Sequence, residues 1–404
     1  MTPPPGDRPM LPLAITAYSV VCATGYGHAA LLAALRDRRG PLRPNDFTAQ
    51  ALPTWIGRVP DLECADWDLP APLTAFRCRN NRLAWAGLNT DGFTDAVAAA
   101  VQRYGARRVA LVMGTSTAAI DATEAFYRHL GDPQGGPPHL RQPQLHTPHS
   151  IGDFVQRALG LGGPCFTIAT ACSSSAKVFC QAERLLRMGL CDAVVVGGVD
   201  SLCNSVLYGF GSLELLSPDP CRPFAVDRRG LNIGEAAAFV LLERGGRSDL
   251  ALLGYGESSD AHHMSAPHPE GLGARLAIEQ ALLRAGRAAQ DIQYINLHGT
   301  ATPKNDAVEA QVVASLFPAS TRASSTKGWT GHTLGAAGSL EAIITFLALR
   351  SDLVPGTLNT TQLAAECGPQ VRLENVTARI RCALSNSFGF GGSNCVLLFG
   401  REAA

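Results

Sequence analysis

The chain has 404 residues, of which 46% are hydrophobic and 17% are charged, and its formal net charge is zero. This length corresponds to about two or three domain-sized units, and the apolar content suffices for a large buried core. The low charged fraction and zero net charge exclude the overall basic character of a nucleic-acid-binding protein, so we expect no nucleic acid partner.

The 12 cysteines are scattered, with no Cys-x-x-Cys pair and no Cys/His cluster. This spacing predicts no metal site, and it favours reduced thiols in a cytoplasmic setting. The first residues, Met1–Pro5, lack the basic start of a signal peptide, and no stretch reaches the roughly 20 apolar residues that a membrane-spanning helix needs. We therefore expect a soluble, cytoplasmic protein without membrane insertion.

Strands and helices alternate along the chain, which predicts an α/β protein whose sheets are covered by helices on both faces. The first part of the pattern predicts strand Leu13–Val20, helix His28–Arg36, helix Leu83–Arg103, strand Arg108–Gly114, helix Ile151–Leu159, strand Pro164–Ile168, helix Ser173–Met188 and strands Asp192–Val199 and Ala236–Leu242. The second part predicts strand Leu250–Gly256, helix Leu272–Ala285, strand Ile292–Leu297, helices Asp306–Phe317 and Gly338–Arg350, and strands Arg381–Ser387 and Cys395–Phe399.

The pattern restarts near Arg244–Arg247, which predicts two similar halves, residues 1–245 and 246–404. No sequence repeat supports this division directly. Two segments rich in Pro, Gly and polar residues, Asp37–Leu73 and Tyr127–Ser150, are interpreted as excursions from the core. Long loops of this kind often cover a site.

Cys172 lies between a short predicted strand and a predicted helix, in the run Ile168–Ser175. A thiol at such a turn sits at the partly positive N terminus of the helix, which favours the thiolate, the form that attacks a carbonyl. A lone cysteine is more often a small buried apolar residue. Cys172 is therefore interpreted as a nucleophile only together with the segments that follow.

Three later segments carry side chains suited to the same chemistry. The run His-Gly-Thr-Ala-Thr-Pro places His298 at the end of a strand, and Lys-Gly-Trp-Thr-Gly-His holds Lys327 and His332 five residues apart. The turn Gly389–Gly392 joins two apolar strands, and its glycines free backbone N–H groups to face a ligand. Each segment alone is weak evidence, because a strand-end histidine is more often structural and a lone lysine is usually solvated.

In this order, the four segments resemble the β-ketoacyl-acyl-carrier-protein synthases, the elongating condensing enzymes of fatty acid and polyketide synthesis. The resemblance extends from about Leu13 to Phe399 and rests on Thr-Ala-Cys, His-Gly-Thr-x-Thr-Pro, Lys-x-x-x-Gly-His and Gly-Phe-Gly-Gly. It implies the thiolase fold, a five-layered αβαβα sandwich of two similar halves. The runs Lys327–His332 and Asp200–Cys203 also resemble the aryl-polyene pathway subgroup.

The resemblance implies a two-step condensation. Cys172 takes an acyl group from its carrier protein, and malonyl-carrier protein then loses carbon dioxide to give an enolate that attacks the acyl-enzyme. The backbone N–H groups of Cys172 and Phe390 match the family's oxyanion hole. The product would be a 3-oxoacyl-acyl-carrier protein.

The remaining catalytic residues are implied in the same way. His298 and His332 match the positions that donate hydrogen bonds to the enolate. Lys327 matches the lysine that holds the histidine pair and a nearby carboxylate in place, and Glu309 matches that carboxylate.

Five residues are expected to shape the substrate pocket. Thr300 and Thr302 match residues along the pantetheine arm, and Phe388 lies in the glycine-rich turn. Leu231 stands where relatives often carry Phe, and Thr117 stands where they carry a bulkier aliphatic residue that limits chain length. Smaller side chains at these places predict a deeper or wider acyl channel.

The resemblance implies an acyl carrier protein as partner, and the basic cluster Arg77, Arg79 and Arg82 is a candidate docking site for it. A solvated helix face with no partner is the alternative for this cluster. No cofactor is expected, since phosphopantetheine arrives on the carrier protein. A homodimer, or a heterodimer with a chain-length-factor-like homologue, is expected.

Three other functions are weighed against this interpretation. A catalytically silent chain-length factor would lack the nucleophile, whereas this chain has Cys172 and both histidines. A thiolase would need a second catalytic cysteine in a C-terminal glycine-rich loop, and Cys395 lies after that loop. A non-enzymatic scaffold would carry an unreactive Cys172.

Overall fold

The computed structural model describes residues 9–131 and 137–401. The strands are β1 Leu13–Cys22, β2 Gly25–Tyr26, β3 Arg43–Pro44, β4 Trp55–Gly57, β5 Val109–Gly114, β6 Cys165–Ile168, β7 Ala193–Asp200, β8 Ile233–Gly234, β9 Ala236–Glu243, β10 Leu250–Ser259, β11 Tyr294–Asn296, β12 Arg322–Ser324, β13 Leu353–Val354, β14 Val376–Thr377, β15 Cys382–Gly389 and β16 Ser393–Arg401. The helices are α1 Gly27–Asp37, α2 Arg79–Leu88, α3 Phe93–Tyr104, α4 Ile120–Arg128, α5 Ser150–Ala158, α6 Ser174–Arg187, α7 Asn204–Ser212, α8 Leu272–Ala285, α9 Pro303–Leu316, α10 Lys327–Thr330 and α11 Ala337–Ser351.

Ten of the strands form two five-stranded sheets with the same topology. The strand order is β6-β5-β7-β9-β1 in the first sheet and β12-β11-β15-β16-β10 in the second. If the strands of each sheet are numbered in chain order, both sheets read 3-2-4-5-1. Strands 3, 2 and 4 are parallel in each sheet, and strand 5 is antiparallel to both neighbours. The expected pair of similar halves is therefore confirmed.

Two buried helices separate the sheets. Helices α6 and α11 pack against each other, and each contacts strands of both sheets. Helices α2, α3 and α5 cover the outer face of the first sheet, and α8 and α9 cover that of the second. The sheets meet where β1 pairs with β10, with Leu13 opposite Leu252. This arrangement is the expected five-layered αβαβα sandwich.

The central helix α11 explains the most apolar stretch of the chain. The run Leu334–Ser351 is long and apolar enough to cross a membrane by length and composition, yet 89% of it is buried inside the fold. A helix that is apolar on every side is expected where protein surrounds it completely. Its composition therefore reflects its place in the central layer of the sandwich.

The predicted single helix Leu83–Arg103 is wrong, because the structure divides it into α2 and α3. Asp91 and Gly92, between them, have φ values of 57° and 69°, in the left-handed region that ends a helix. The carboxylate of Asp91 also accepts hydrogen bonds from the backbone N–H of His28, at 3.1 and 3.2 Å. This turn places the Asp91 carboxylate at the start of α1, where it fixes the first turn of that helix.

Helices α4 and α7 were not predicted, since both are short and lie beside segments rich in glycine and polar residues. Most other predicted elements agree with the structure to within a few residues at each end. Residues 132–136, inside the predicted excursion Tyr127–Ser150, lie outside the described residues. The first eight residues also lie outside them, and these include Met1–Pro5, where the sequence predicts no signal peptide.

Candidate active site

Cys172 lies at a sharp turn between β6 and α6. Ala171, just before it, has a φ of 51°, a left-handed conformation that residues with a side chain rarely adopt. The Ser174 hydroxyl stabilises this turn: it accepts a hydrogen bond from the backbone N–H of Thr170 at 2.8 Å and donates one to the Ala171 carbonyl at 2.6 Å. Cys172 is only 5% exposed, and it lines a cavity.

Two histidines face the thiol of Cys172. The Nε2 atom of His332 lies 3.0 Å from the Cys172 sulfur. One side-chain atom from each of Cys172, His298 and His332 falls within 4.8 Å of the others. The two imidazole rings are nearly perpendicular, with centroids 5.5 Å apart. The structure therefore brings together the predicted nucleophile and both predicted hydrogen-bond donors.

The histidines lie in the second half, and different elements position them. His298 lies two residues after the end of β11, where the chain leaves the sheet. His332 follows α10 and runs alongside β8: its backbone N–H donates to the Asn232 carbonyl at 2.7 Å, and its carbonyl accepts from Gly234 N–H at 3.0 Å. Backbone hydrogen bonds thus fix His332 on both sides of its side chain.

Lys327 holds the backbone of His298 in place. Its Nζ atom donates to the His298 carbonyl and to Glu341 Oε1, both at 2.5 Å. The expectation that Glu309 is the carboxylate beside Lys327 is wrong, because α11 runs past the lysine and supplies Glu341. A charged residue in the apolar run of α11 was the sequence signal for this partner.

Glu309 has another position in the site. Its carboxylate accepts the backbone N–H groups of His298 and Gly299, both at 2.8 Å, and the Asn386 amide at 3.0 Å. It fixes the backbone of the His298 loop rather than the lysine. Burial raises the pKa of Glu309 to about 7, although the N–H groups of Gly299 and His298 and the Asn386 amide act in the opposite direction.

The electrostatics of the site favour neutral groups. Burial raises the pKa of Cys172 to about 11, and the Lys327 charge and the Phe390 backbone N–H only partly offset this. Burial and the positive charge of Lys327 hold the pKa values of both histidines well below the usual range. A helix N terminus contributes about 0.3–1 kcal/mol in favour of an anion. A pKa displaced from 9 to about 11 corresponds to about 2–3 kcal/mol, so burial outweighs the expected helix effect.

Most of the predicted site residues line one cavity of about 350 Å³. Its walls include these predicted residues: Cys172, Leu231, His298, Thr300, Thr302, His332, Phe388 and Phe390. The Thr300 and Thr302 hydroxyls lie 2.9 Å apart along it. Phe210 and Leu213 also line the cavity and were missed, because helix α7 and the turn after it were not predicted. The Phe210 ring stacks on that of Phe390, with centroids 5.7 Å apart.

Thr117 does not line this cavity. Its hydroxyl and backbone N–H both bond the carboxylate of Asp200, at 2.6 and 2.9 Å, and the residue is 3% exposed. The role of Thr117 as a pocket floor stays a prediction.

The basic cluster Arg77, Arg79 and Arg82 is largely neutralised. The Arg79 guanidinium bonds both oxygens of Glu235, which is completely buried, and also contacts Glu63. Arg82 forms an ion pair with Asp68. A charge that is paired with a buried partner is less available to a carrier protein, which weakens the case for Arg79, and the docking role of the cluster stays a prediction.

Cys395 does not supply the second cysteine of a thiolase. It is completely buried on β16, 3.6 Å from the sulfur of Cys180, and it is not among the residues that line the cavity. The structure places one cysteine, Cys172, at the cavity beside two histidines.

Comparison with known families supports the same interpretation. The model "Beta-ketoacyl synthase, N-terminal domain" matches residues 81–247, and "Beta-ketoacyl synthase, C-terminal domain" matches residues 251–361. The chain is 41% identical to 3-oxoacyl-acyl-carrier-protein synthase 2 of Rhizobium meliloti over 60% of this chain and 62% of that relative, which is less than two thirds of its length. It is 35% identical to the enzyme of the same name from Vibrio cholerae over 74% of this chain and 78% of the relative.

Among solved structures, the chain is similar to one described as ketosynthase ApeO in complex with its chain length factor ApeC, from Xenorhabdus doucetiae. The TM-score is 0.90 at 38% sequence identity, and the match covers 100% of both chains. A β-ketoacyl synthase from Burkholderia phymatum matches with a TM-score of 0.86 at 28% identity, over 98% of this chain and 100% of that chain.

Proposed function

The chain belongs to the β-ketoacyl synthase family, and from this we propose that it catalyses a decarboxylative Claisen condensation. An acyl group held on Cys172 would react with malonyl-acyl-carrier protein to give a 3-oxoacyl-acyl-carrier protein, in fatty acid, polyketide or aryl-polyene synthesis. The observation that carries the proposal is the 3.0 Å contact between His332 Nε2 and the Cys172 sulfur, inside a cavity that His298 also lines.

In the first step, Cys172 takes the acyl group. The thiol is neutral at rest, so its proton passes to His332 Nε2 as the sulfur attacks the thioester carbonyl. The backbone N–H groups of Cys172 and Phe390 stabilise the oxyanion that forms. The C–S bond to the pantetheine sulfur then breaks, and that sulfur leaves as a thiol after taking the proton back from His332.

In the second step, malonyl-carrier protein loses carbon dioxide. The bond between the malonyl methylene carbon and its carboxylate breaks, and the electron pair becomes an enolate whose oxygen carries the charge. Neutral His298 and His332 each donate one N–H to that oxygen. Because His332 Nε2 was the proton acceptor in the first step, the single proton of this imidazole must move from Nδ1 to Nε2 before carbon dioxide is lost. The enolate carbon attacks the acyl-enzyme carbonyl, and the Cys172 sulfur leaves and takes up a proton from water.

Lys327 acts on this step through His298. Its Nζ atom bonds the His298 carbonyl, and Glu309 bonds the N–H of the same residue, so the backbone on either side of the imidazole is fixed. Donors that are already oriented need no rearrangement when the enolate forms. Lys327 and Glu309 are therefore positioning residues in this proposal.

The substrates bring the only prosthetic group that the reaction requires. The hydroxyls of Thr300 and Thr302 line the cavity and can bond the amides of a pantetheine arm. No metal or other cofactor has a step in the reaction. The cytoplasm is the proposed location, because a reducing compartment keeps Cys172 available as a thiol.

A second subunit is proposed at the edge strand β6. Its counterpart in the other half, β12, is covered by a neighbouring segment, since Ala323 N–H donates to the Gln370 carbonyl and Arg372 N–H donates to the Ala323 carbonyl. Within the described chain, β6 pairs with β5 only, and its Phe166 is 42% exposed. An uncovered apolar strand edge readily pairs with another chain.

The partner would be a second copy of this chain or a chain-length-factor-like homologue. The similar structure from Xenorhabdus doucetiae contains a ketosynthase in complex with its chain length factor. A chain-length-factor role for this chain itself is the alternative function. The complete set of Cys172, His298 and His332 in one cavity favours the catalytic role.

Mass spectrometry of the intact protein tests the proposal. The purified protein is mixed with a panel of acyl-carrier proteins, and we expect one acyl group per chain, located on Cys172. Addition of malonyl-carrier protein should then remove that group and produce 3-oxoacyl-carrier protein. A chain that acquires no acyl group from any member of the panel, alone or with a chain-length-factor homologue, would not be a ketosynthase.

A further inference from the structure

Asp200 is a buried carboxylate that the proposed reaction does not use. It is the last residue of β7, has no exposed surface, and forms no salt bridge within the described chain. Its oxygens instead accept from three hydroxyls and three backbone N–H groups, at 2.6–3.0 Å. These donors are Thr115 Oγ1, Ser116 N, Ser116 Oγ, Thr117 N, Thr117 Oγ1 and Gly335 N. A buried carboxylate is retained only where such bonds replace its hydration.

The donors come from two segments that belong to different halves of the fold. Residues Thr115–Thr117 follow β5 in the first half, whereas Gly335 lies three residues after His332 in the second. The Ser116 hydroxyl reinforces the link, because it donates to Asp200 and lies 3.2 Å from the Gly335 nitrogen. Asp200 is thus the common acceptor that joins the first-half loop to the turn behind His332.

The turn after His332 has a strained backbone, so it requires contacts that hold it in place. Leu334, between His332 and Gly335, has a φ of 55°, which is strained for a residue with a side chain. The approach of Asp200 is also close: a Cβ atom at Gly335 would lie 2.7 Å from Asp200 Oδ2 and from Ser116 N. A strained backbone persists only where its surroundings hold it.

The same region contacts the helix that carries the nucleophile. Gly114 and Gly198, at the ends of β5 and β7, lie against Ser175 in the first turn of α6, where a Cβ atom at either glycine would come within 2.5 Å. We propose that Asp200 is a positioning residue that holds His332 Nε2 at hydrogen-bonding distance from Cys172. The role rests on the proposed ketosynthase function.

Two variants separate position from charge. Asp200→Asn replaces one acceptor oxygen with an NH₂ group that faces N–H donors, and it also removes the charge. Gly335→Ala keeps the Asp200 charge but places a methyl group where the carboxylate lies, so it displaces the turn. Asp91→Asn is the matched control, because the Asp91 carboxylate is only 9% exposed and also accepts backbone N–H groups, those of Val20 and His28, with no bond to the His332 turn.

We expect both Asp200→Asn and Gly335→Ala to lower kcat for malonyl-carrier-protein decarboxylation roughly 10- to 100-fold, with KM within about twofold, because small misplacements of a catalytic group have effects of this size. Asp91→Asn should retain kcat below its melting temperature. If only Asp200→Asn lowered kcat, the role would be electrostatic. If neither did, or if the control lost as much, the positioning role would be wrong.

Two further measurements keep the test decisive. If Asp200→Asn or Gly335→Ala does not fold, as shown by thermal unfolding, Ser116→Ala removes one bond to Asp200 and should give a smaller loss of kcat in the same direction. Unchanged kcat in Ser116→Ala would then overturn the proposal. Alkylation of Cys172 by iodoacetamide requires no ketosynthase activity, so a wild-type protein that is alkylated but decarboxylates nothing identifies a failure of the proposed function instead.

Discussion

Lys327 and Glu341 form an ion pair in the interior of the protein. Their Nζ and Oε1 atoms lie 2.5 Å apart, and the two side chains are 1% and 3% exposed. Burial raises the pKa of Glu341, while the Lys327 charge acts against this. Each charge is tolerated because the other lies beside it.

Removal of one partner should therefore destabilise the fold. Glu341→Ala leaves the Lys327 ammonium buried without a counter-charge, and we expect the free energy of unfolding to fall by about 3–5 kcal/mol. The double variant Lys327→Met/Glu341→Leu should recover most of that stability and yet remain inactive, because nothing then holds the His298 carbonyl. Urea unfolding and a condensation assay of all three proteins check this. A double variant with wild-type activity would contradict the role of Lys327.

Cys172→Ala should abolish condensation and leave the fold intact. The replacement removes the nucleophile without opening a large void. By contrast, His298→Ala should retain part of the acyl loading and lose malonyl decarboxylation. Mass spectrometry of the acyl-enzyme and carbon dioxide release measure the two steps separately. Wild-type decarboxylation in both His298→Ala and His332→Ala would refute the assignment of enolate donors.

The raised pKa of Cys172 predicts the pH dependence of its alkylation. With a pKa of about 11 rather than 9, the thiolate fraction at pH 8 is about 0.1% instead of about 10%. The rate with iodoacetamide should thus rise about tenfold for each pH unit from 7 to 10. Since the folded state holds this proton more tightly than the unfolded chain, its stability should also fall as pH rises from 9 towards 11. A rate that levels off near pH 8 would show a much more acidic thiol.

Charge reversal distinguishes Arg79 from Arg77. Arg79→Glu leaves Glu235 buried without its counter-charge and adds a second carboxylate, so we expect a loss of about 3–5 kcal/mol of stability. Arg77 is exposed, and Arg77→Glu should change stability by less than about 0.5 kcal/mol. If Arg77 takes part in docking, its reversal should raise KM for carrier-bound substrate at low salt. Equal KM values across a salt series would remove the cluster from consideration.

Leu231→Phe tests the width of the substrate channel. Leu231 lines the cavity beside Cys172, so the added ring should lower the longest accepted primer while turnover of short primers changes little. Competition between primers of different length measures the shift. Thr117→Phe is a less specific probe, because the Thr117 hydroxyl bonds Asp200 and its loss would disturb the His332 turn as well. Equal use of all primer lengths by Leu231→Phe would mean that this wall does not limit the chain.

The sequence predicted the nucleophile and both histidines because each follows a recognisable strand or turn and belongs to a short motif. It missed the partner of Lys327. Two carboxylates, Glu309 and Glu341, lie on helices that follow the reactive segments, and only the path of α11 between the sheets decides which one reaches the lysine. Such a decision depends on packing over many residues, which a local pattern does not contain.

The docking interpretation of the basic cluster is limited by the same kind of distant contact. Three arginines close together in sequence suggest an exposed charged surface. The Arg79 guanidinium instead bonds Glu235, which lies 156 residues later in the sequence. The helix break at Asp91 also depends on a distant contact, to the start of α1. Hydrophobic periodicity therefore located most elements well, while long-range polar contacts determined where it was wrong.

The shared strand order makes the two halves two copies of one topology, and the copies carry different parts of the site. Cys172 stands between the third strand and the central helix of the first copy, and His332 stands at the equivalent place in the second. The first copy contributes the Cys172 sulfur. The second contributes the imidazoles of His298 and His332, which transfer protons and donate hydrogen bonds to negative charge. One substitution at Cys172 would thus remove acyl transfer and leave the architecture intact, so the fold can serve equally as an active chain or as its inactive partner.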